Sequence, residues 1–173
     1  MDHDPPPSPS PVDAAVADLF HYAIDREDVK WLLARLHPEA QVQRTTVEYE
    51  LQLLKIVSVG WSIAYSLEDS RHKTPLLEGY WQAVRNYAQE LSQTTGLMIG
   101  QDIDYFATLK SRLDHYLAAM ARAPEGSEPA ATIGPQFAEL CGNRDDLHAF
   151  MAGSKLFTGA VGRVRQYLAA VTF

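Results

Sequence analysis

One stretch decides the fold: Thr45-Thr46-Val47-Glu48-Tyr49-Glu50-Leu51-Gln52-Leu53-Leu54-Lys55-Ile56-Val57-Ser58-Val59-Gly60-Trp61-Ser62-Ile63-Ala64-Tyr65-Ser66-Leu67. Val47, Leu51, Leu54, Trp61 and Tyr65 share one stripe at helical spacing. Leu53, Ile56, Val57, Gly60, Ile63, Ala64 and Leu67 widen it over most of the circumference. Glu48, Gln52, Lys55, Ser62 and Ser66 keep only a narrow polar band, broken by Val59. A helix apolar nearly all round has neighbours on several sides, so this one belongs at the centre. Thr45 and Glu48 form a capping box at its start. Its charge-free run, Ile56 to Leu67, is twelve residues, the longest in the chain. That is short of the roughly 18 apolar residues needed to cross a bilayer.

Working outward, the same period recurs on both sides. Ser10-Pro11-Val12-Asp13 is a helix start, with Ser10 as cap and Pro11 at the first helical position. Val12, Val16, Leu19 and Ala23 follow at helical spacing. Asp25 is placed to cap a short helix bearing Val29, Leu32, Leu33 and Leu36, which His37-Pro38 ends. Thr74-Pro75 opens a helix carrying Leu77, Trp81, Val84, Ala88 and Leu91. Thr94-Thr95-Gly96 closes it, with Leu97 folding back on Leu91. Asp102 caps a further helix with Ile103, Phe106, Leu113, Leu117 and Met120 on its stripe, and Pro124 to Pro129 is a connector. The C-terminal part reads as pieces: Pro135 to Cys141, a segment capped by Asn143, a break at Gly153-Ser154, and a last helix capped by Ser154. Leu156, Phe157, Ala160, Val161, Val164, Leu168 and Val171 form the apolar face of that helix. No segment alternates with period two. The fold class is therefore all-α, an up-and-down bundle of four long helices plus short C-terminal helices. Residues 1–9 read as a disordered Pro-rich tail, in which Pro5-Pro6-Pro7-Ser8-Pro9 has polyproline character, and residues 10–173 as one domain.

The composition narrows the function. The chain has 173 residues and a net charge of −7, which argues against nucleic-acid binding. One cysteine excludes an internal disulfide framework and multi-cysteine zinc sites. The N-terminus has neither the basic start nor the apolar core of a secretory signal, so the expected compartment is the cytoplasm. The charge is uneven. Residues 1–50 hold ten acids and four bases, while residues 147–173 hold Lys155, Arg163 and Arg165 and no acid.

Motifs for bond chemistry are lacking. The His residues, at 3, 21, 37, 72, 115 and 148, form neither Glu-x-x-His nor His-x-x-x-His pairs, and no metal or cofactor is expected. Cys141 lies near the end of a short helix, away from any activating N-terminus, and reads as a small buried apolar residue. Gly159, Ala160 and Gly162 read as small residues that let helices pack closely inside the fold. Trp61 and Trp81 stand equally far from the turn between their helices. With Tyr65 and Tyr80 they are expected to share one layer. The expected function is that of a non-enzymatic cytoplasmic helical protein acting through protein–protein contacts, self-association into a homodimer included, without nucleic acid or membrane. The alternative is a bundle that binds a small apolar or aromatic ligand at Trp61, Tyr65, Tyr80 and Trp81.

Overall fold

A computed structural model describes residues 9–173, so the polyproline and disorder expectations for the tail lie outside the described residues, apart from Pro9. Among these residues there are seven helices and no strand: α1 (Pro11–Ile24), α2 (Glu27–Ala34), α3 (Arg44–Ser66), α4 (Lys73–Ile99), α5 (Tyr105–Arg122), α6 (Pro129–Leu140) and α7 (Leu147–Ala170). The N-terminal signal acts as read. Ser10 Oγ accepts from Asp13 N–H at 3.1 Å, and Asp13 in turn takes the Ser10 backbone N–H.

α3 is the central helix and packs against every other helix. Thirteen of its residues are buried, Leu54 among them. The burial goes further than the sequence pattern suggests. Lys55 and Ser62, expected on a polar band, are fully covered, and Glu50 is buried as well. Each has a local explanation except Ser62, whose hydroxyl finds no protein partner. Glu50 forms a two-pronged pair with Arg112 of α5, at 2.7 and 2.8 Å. Lys55 is answered from the α1–α2 corner.

Close helix approach is built on glycine. A Cβ on Gly79 of α4 would stand 2.7 Å from the Val16 side chain, so its absence lets α1 lie against α4. On Gly153 of α7 it would meet the Phe137 ring at 2.5 Å. On Gly134 of α6 it would meet Ser154 Oγ at 2.5 Å and the Phe150 ring at 2.8 Å. The α6–α7 contact, as extensive as that between α3 and α7, is therefore keyed by two glycines and two phenylalanines.

Several boundaries move. α7 runs unbroken through Gly153-Ser154: Gly153 receives the Phe137 ring, and Ser154 Oγ donates to the Ala130 carbonyl at 3.1 Å. Its cap is Asp146, not Asn143 or Ser154. The C-terminal part thus holds one long helix where a broken one was expected. α6 begins at Pro129 and carries Pro135 inside it. α4 passes Gly96 and ends at Gly100, whose φ of +69° supplies the left-handed turn. Leu97 consequently does not fold back on Leu91; it is 89% exposed. α5 is capped by Asp104 rather than Asp102, and α3 starts after Gln43 without using Thr45. α4 starts after His72 without using Thr74, and α2 starts after Arg26, although Asp25 Oδ1 still accepts the Glu27 N–H at 3.0 Å. No described helix is long and apolar enough to cross a membrane.

Candidate functional site

Side chains of α1 and α7 meet in reverse chain order, while the α1 backbone packs mainly on α4 and α3. Tyr167 donates to Asp18 at 2.7 Å, and one turn further along α1 the Arg163 guanidinium lies 5.9 Å from the Tyr22 ring. A cleft of about 680 Å³ opens between α7 and the α1–α2 corner. One wall carries His21, Tyr22, Asp25, Glu27, Asp28, Trp31 and Leu32. The other is a face of α7: Lys155, Leu156, Gly159, Ala160 and Arg163.

The α7 wall follows from spacing. Lys155, Gly159 and Arg163 stand at i, i+4 and i+8, so they form one stripe along the helix. Gly159 and its neighbour Gly162 differ from the glycines of the core: a Cβ on either would meet nothing within 4 Å. The expectation that they serve close packing within the fold is corrected here, since no helix lies over them. Glycine in a helix interior costs roughly 0.5–1 kcal/mol relative to alanine, and at Gly159 no internal contact accounts for it.

Behind the opposite wall lies Lys55, with 0% exposure. Its Nζ donates to the Asp25 carbonyl at 2.8 Å, lies 3.0 Å from Asp28 Oδ2 and 3.8 Å from Asp25 Oδ1, and sits 4.3 Å over the Tyr22 ring. Asp25 is the C-cap of α1, so the ammonium also faces the negative end of that helix. Burial, reinforced by the charge of Asp28, pushes the Tyr22 hydroxyl well above the ordinary phenol range. It is a neutral donor at physiological pH. Trp31 is 51% exposed on the rim, with the Arg35 guanidinium 3.8 Å over its ring.

A smaller depression adjoins the cleft and shares Trp31, Leu32 and Lys155 with it. It ends at His37 and His148, whose imidazoles stack at 4.8 Å, and at Met151.

The aromatic residues singled out by sequence are placed differently. Tyr80 is buried and donates to the Ile56 carbonyl at 2.7 Å, and its ring meets Trp81 edge-on at 5.3 Å. Trp81 packs against Gly60 of α3. Trp61 stacks on Tyr65 at 4.9 Å and touches Phe157 of α7 at 5.3 Å, and Tyr65 is largely exposed. The four thus form two ring pairs, Trp61 with Tyr65 and Tyr80 with Trp81. None of the four lines the cleft. Cys141 is buried, and burial, with the charges of Glu50 and Asp146, pushes its thiol up to about 12, which keeps it protonated. Among the described residues no three His, Cys, Asp or Glu side chains converge as metal ligands do.

Sequence reasoning missed the cleft because its walls come from segments more than 120 residues apart. The basic α7 and its glycines were visible, but not what they face. No family model, no curated protein and no solved structure matches the chain.

Proposed function

We propose that this chain is a helical binding protein of the cytoplasm, without a catalytic role, that takes a small, partly apolar ligand in the cleft between the α1–α2 corner and α7. The scaffold is read as an up-and-down bundle, a reading supported by α3 and α4, which pack together across a six-residue connection. The observation that carries the function is Gly159. It stands on the α7 wall of a cleft of about 680 Å³, at a helix position where no protein atom needs the space. Sites for drug-sized ligands span about 300–1,000 Å³ and combine apolar walls with a few polar groups. Trp31, Leu32, Leu156 and Ala160 supply the apolar part, and Tyr22, Lys155 and Arg163 the polar part. Phe at position 159 would project a ring from the middle of the α7 wall into the cleft, where its Cβ meets no protein atom within 4 Å. The test is saturable binding of N-phenyl-1-naphthylamine, a neutral fluorescent aromatic, to the wild-type chain and to Gly159→Phe. Binding that disappears in the variant supports the reading; a wild-type chain that binds neither this amine nor an aromatic anion of the same ring framework sinks it.

A second reading is self-association through the same face. It is favoured by the two rows of opposite charge beside the cleft, Asp25, Glu27 and Asp28 on one side and Lys155 and Arg163 on the other, with Trp31, Leu147 and Met151 exposed nearby. A two-fold axis along the cleft sets each row opposite its complement. Glu27→Lys and Lys155→Glu should each dissociate such a dimer, and a mixture of the two variants should restore it. Sedimentation of the wild-type chain as a monomer at 100 μM (about that concentration suffices for Kd values in the micromolar range) rules the dimer out.

A further inference from the structure

The charges of the two walls are not equally engaged. On the α1–α2 side the carboxylates of the cleft are engaged: Asp25 and Asp28 share the single cation Lys55, and Glu27 pairs with Lys30 at 2.9 Å. On the α7 side, Lys155 and Arg163 are exposed, and among the described residues neither makes an ion pair. With Lys55 and Lys30 counted, four cations stand against three carboxylates, so the cleft has a surplus of one positive charge, carried by the unpaired α7 side, although the chain as a whole carries −7. Screening makes the local balance decide, because at physiological salt fields fade over about 8 Å.

Geometry focuses that charge. Lys155 and Arg163 lie four residues before and after Gly159, about 6 Å along the axis on either side. Both side chains are long enough to converge over the glycine, where no Cβ intrudes. Trp31, Leu32, Leu156 and Ala160 surround the same space with apolar surface.

We propose that the cleft takes an aromatic organic anion, with the acid group over Gly159 between Lys155 and Arg163 and the ring system against Trp31 and Leu32. This rests on the reading of the cleft as a ligand site and adds the chemical class of ligand. A planar carboxylate, or two of the three oxygens of a sulfonate, can accept two parallel hydrogen bonds from a guanidinium, which gives Arg163 the orienting part. A ligand without the acid group would keep only the apolar contact.

The probes are 8-anilinonaphthalene-1-sulfonate, an aromatic anion, and N-phenyl-1-naphthylamine, the same ring framework without the charge. Each is titrated by fluorescence against the wild-type chain, Lys155→Met/Arg163→Met and Gly159→Phe, with circular dichroism as the control for folding. The expected result is one saturable site for the sulfonate, weakened tenfold or more (about 1.4 kcal/mol) by the double substitution. The neutral amine should change less than about twofold, the scale of a bystander effect below 0.5 kcal/mol. Gly159→Phe should abolish both. If the double substitution weakens both probes equally, or neither, the anion assignment falls and the ligand cleft stands. If the wild-type chain binds neither probe, both fall.

Discussion

Lys55 Nζ lies 3.0 Å from Asp28 Oδ2, which ties the central helix to the short α2 by a fully buried cation and a half-exposed carboxylate. Breaking a buried pair costs about 3–5 kcal/mol when an uncompensated charge is left inside. Here the charges left behind are the carboxylates, which reach water. We therefore expect Lys55→Met, which keeps the apolar stem, to destabilise by about 1–3 kcal/mol. Urea denaturation measures this. A loss below about 0.5 kcal/mol, the scale of an ordinary surface change, would show that the ion contact is not holding α2 on α3.

The glycines of α7 should respond oppositely to the same substitution. Gly159→Ala should raise stability by about 0.5–1 kcal/mol, since helix propensity improves and nothing clashes. Gly153→Ala forces a methyl into the Phe137 ring and should lower stability by about 1–3 kcal/mol. The comparison needs only two thermal melts. Equal signs would contradict the difference in surroundings described for the two positions.

Glu50 and Arg112 give a third test. Arg112→Met leaves a carboxylate that is 3% exposed without its partner, and should cost about 3–5 kcal/mol. Replacing both, as Glu50→Leu/Arg112→Leu, should recover more than half of that loss, because two apolar groups need no compensation. A double variant no more stable than the single one would mean that the pair is needed for α5 to dock.

Asp146 predicts a pH dependence. Burial alone would raise its carboxyl, but backbone N–H groups of Ala149, Gln41 and His148 outweigh this and hold it below its usual range. The bonds to Ala149 and Gln41 are 2.7 and 2.5 Å. Its folded value is thus lower than its unfolded one, near 3.9. The stabilisation is fully present above the unfolded value and is lost as pH falls through the folded one. Asp146→Ala should cost about 1–2 kcal/mol at pH 7, as for other helix caps. The gap between wild type and variant should close on acidification below about pH 4. A gap that persists undiminished at pH 2 would assign it to packing.

The central place of α3 was legible because apolar residues occupy nearly its whole circumference, a pattern that only surrounding helices can satisfy. The start of α1 was legible because Ser10, Pro11 and Asp13 act within one turn. The breaks were less so. Gly153 has the chemistry of a helix stop, and only the Phe137 ring, brought by another helix, makes it a packing position. Lys55 looked like a surface residue, since nothing near it in sequence announces Asp25 and Asp28. The site followed the same rule. Aromatic residues drew attention to Trp61 and Trp81, whereas the cleft depends on Gly159 and its flanking cations, whose meaning comes from the space opposite them.

The partnership of α3 with α7 has a consequence for how the chain is made. Roughly 80 residues separate the end of α3 from the start of α7. At about 5–20 residues per second, a ribosome takes about 4–16 seconds to deliver them. During that interval the most buried helix of the protein lacks its principal cover, and Phe157 has not yet reached Trp61. The nascent chain therefore depends on something else to shield α3, whether transient contacts from α1 and α4 or a chaperone. A chain truncated before Leu147 should aggregate where the full-length protein does not.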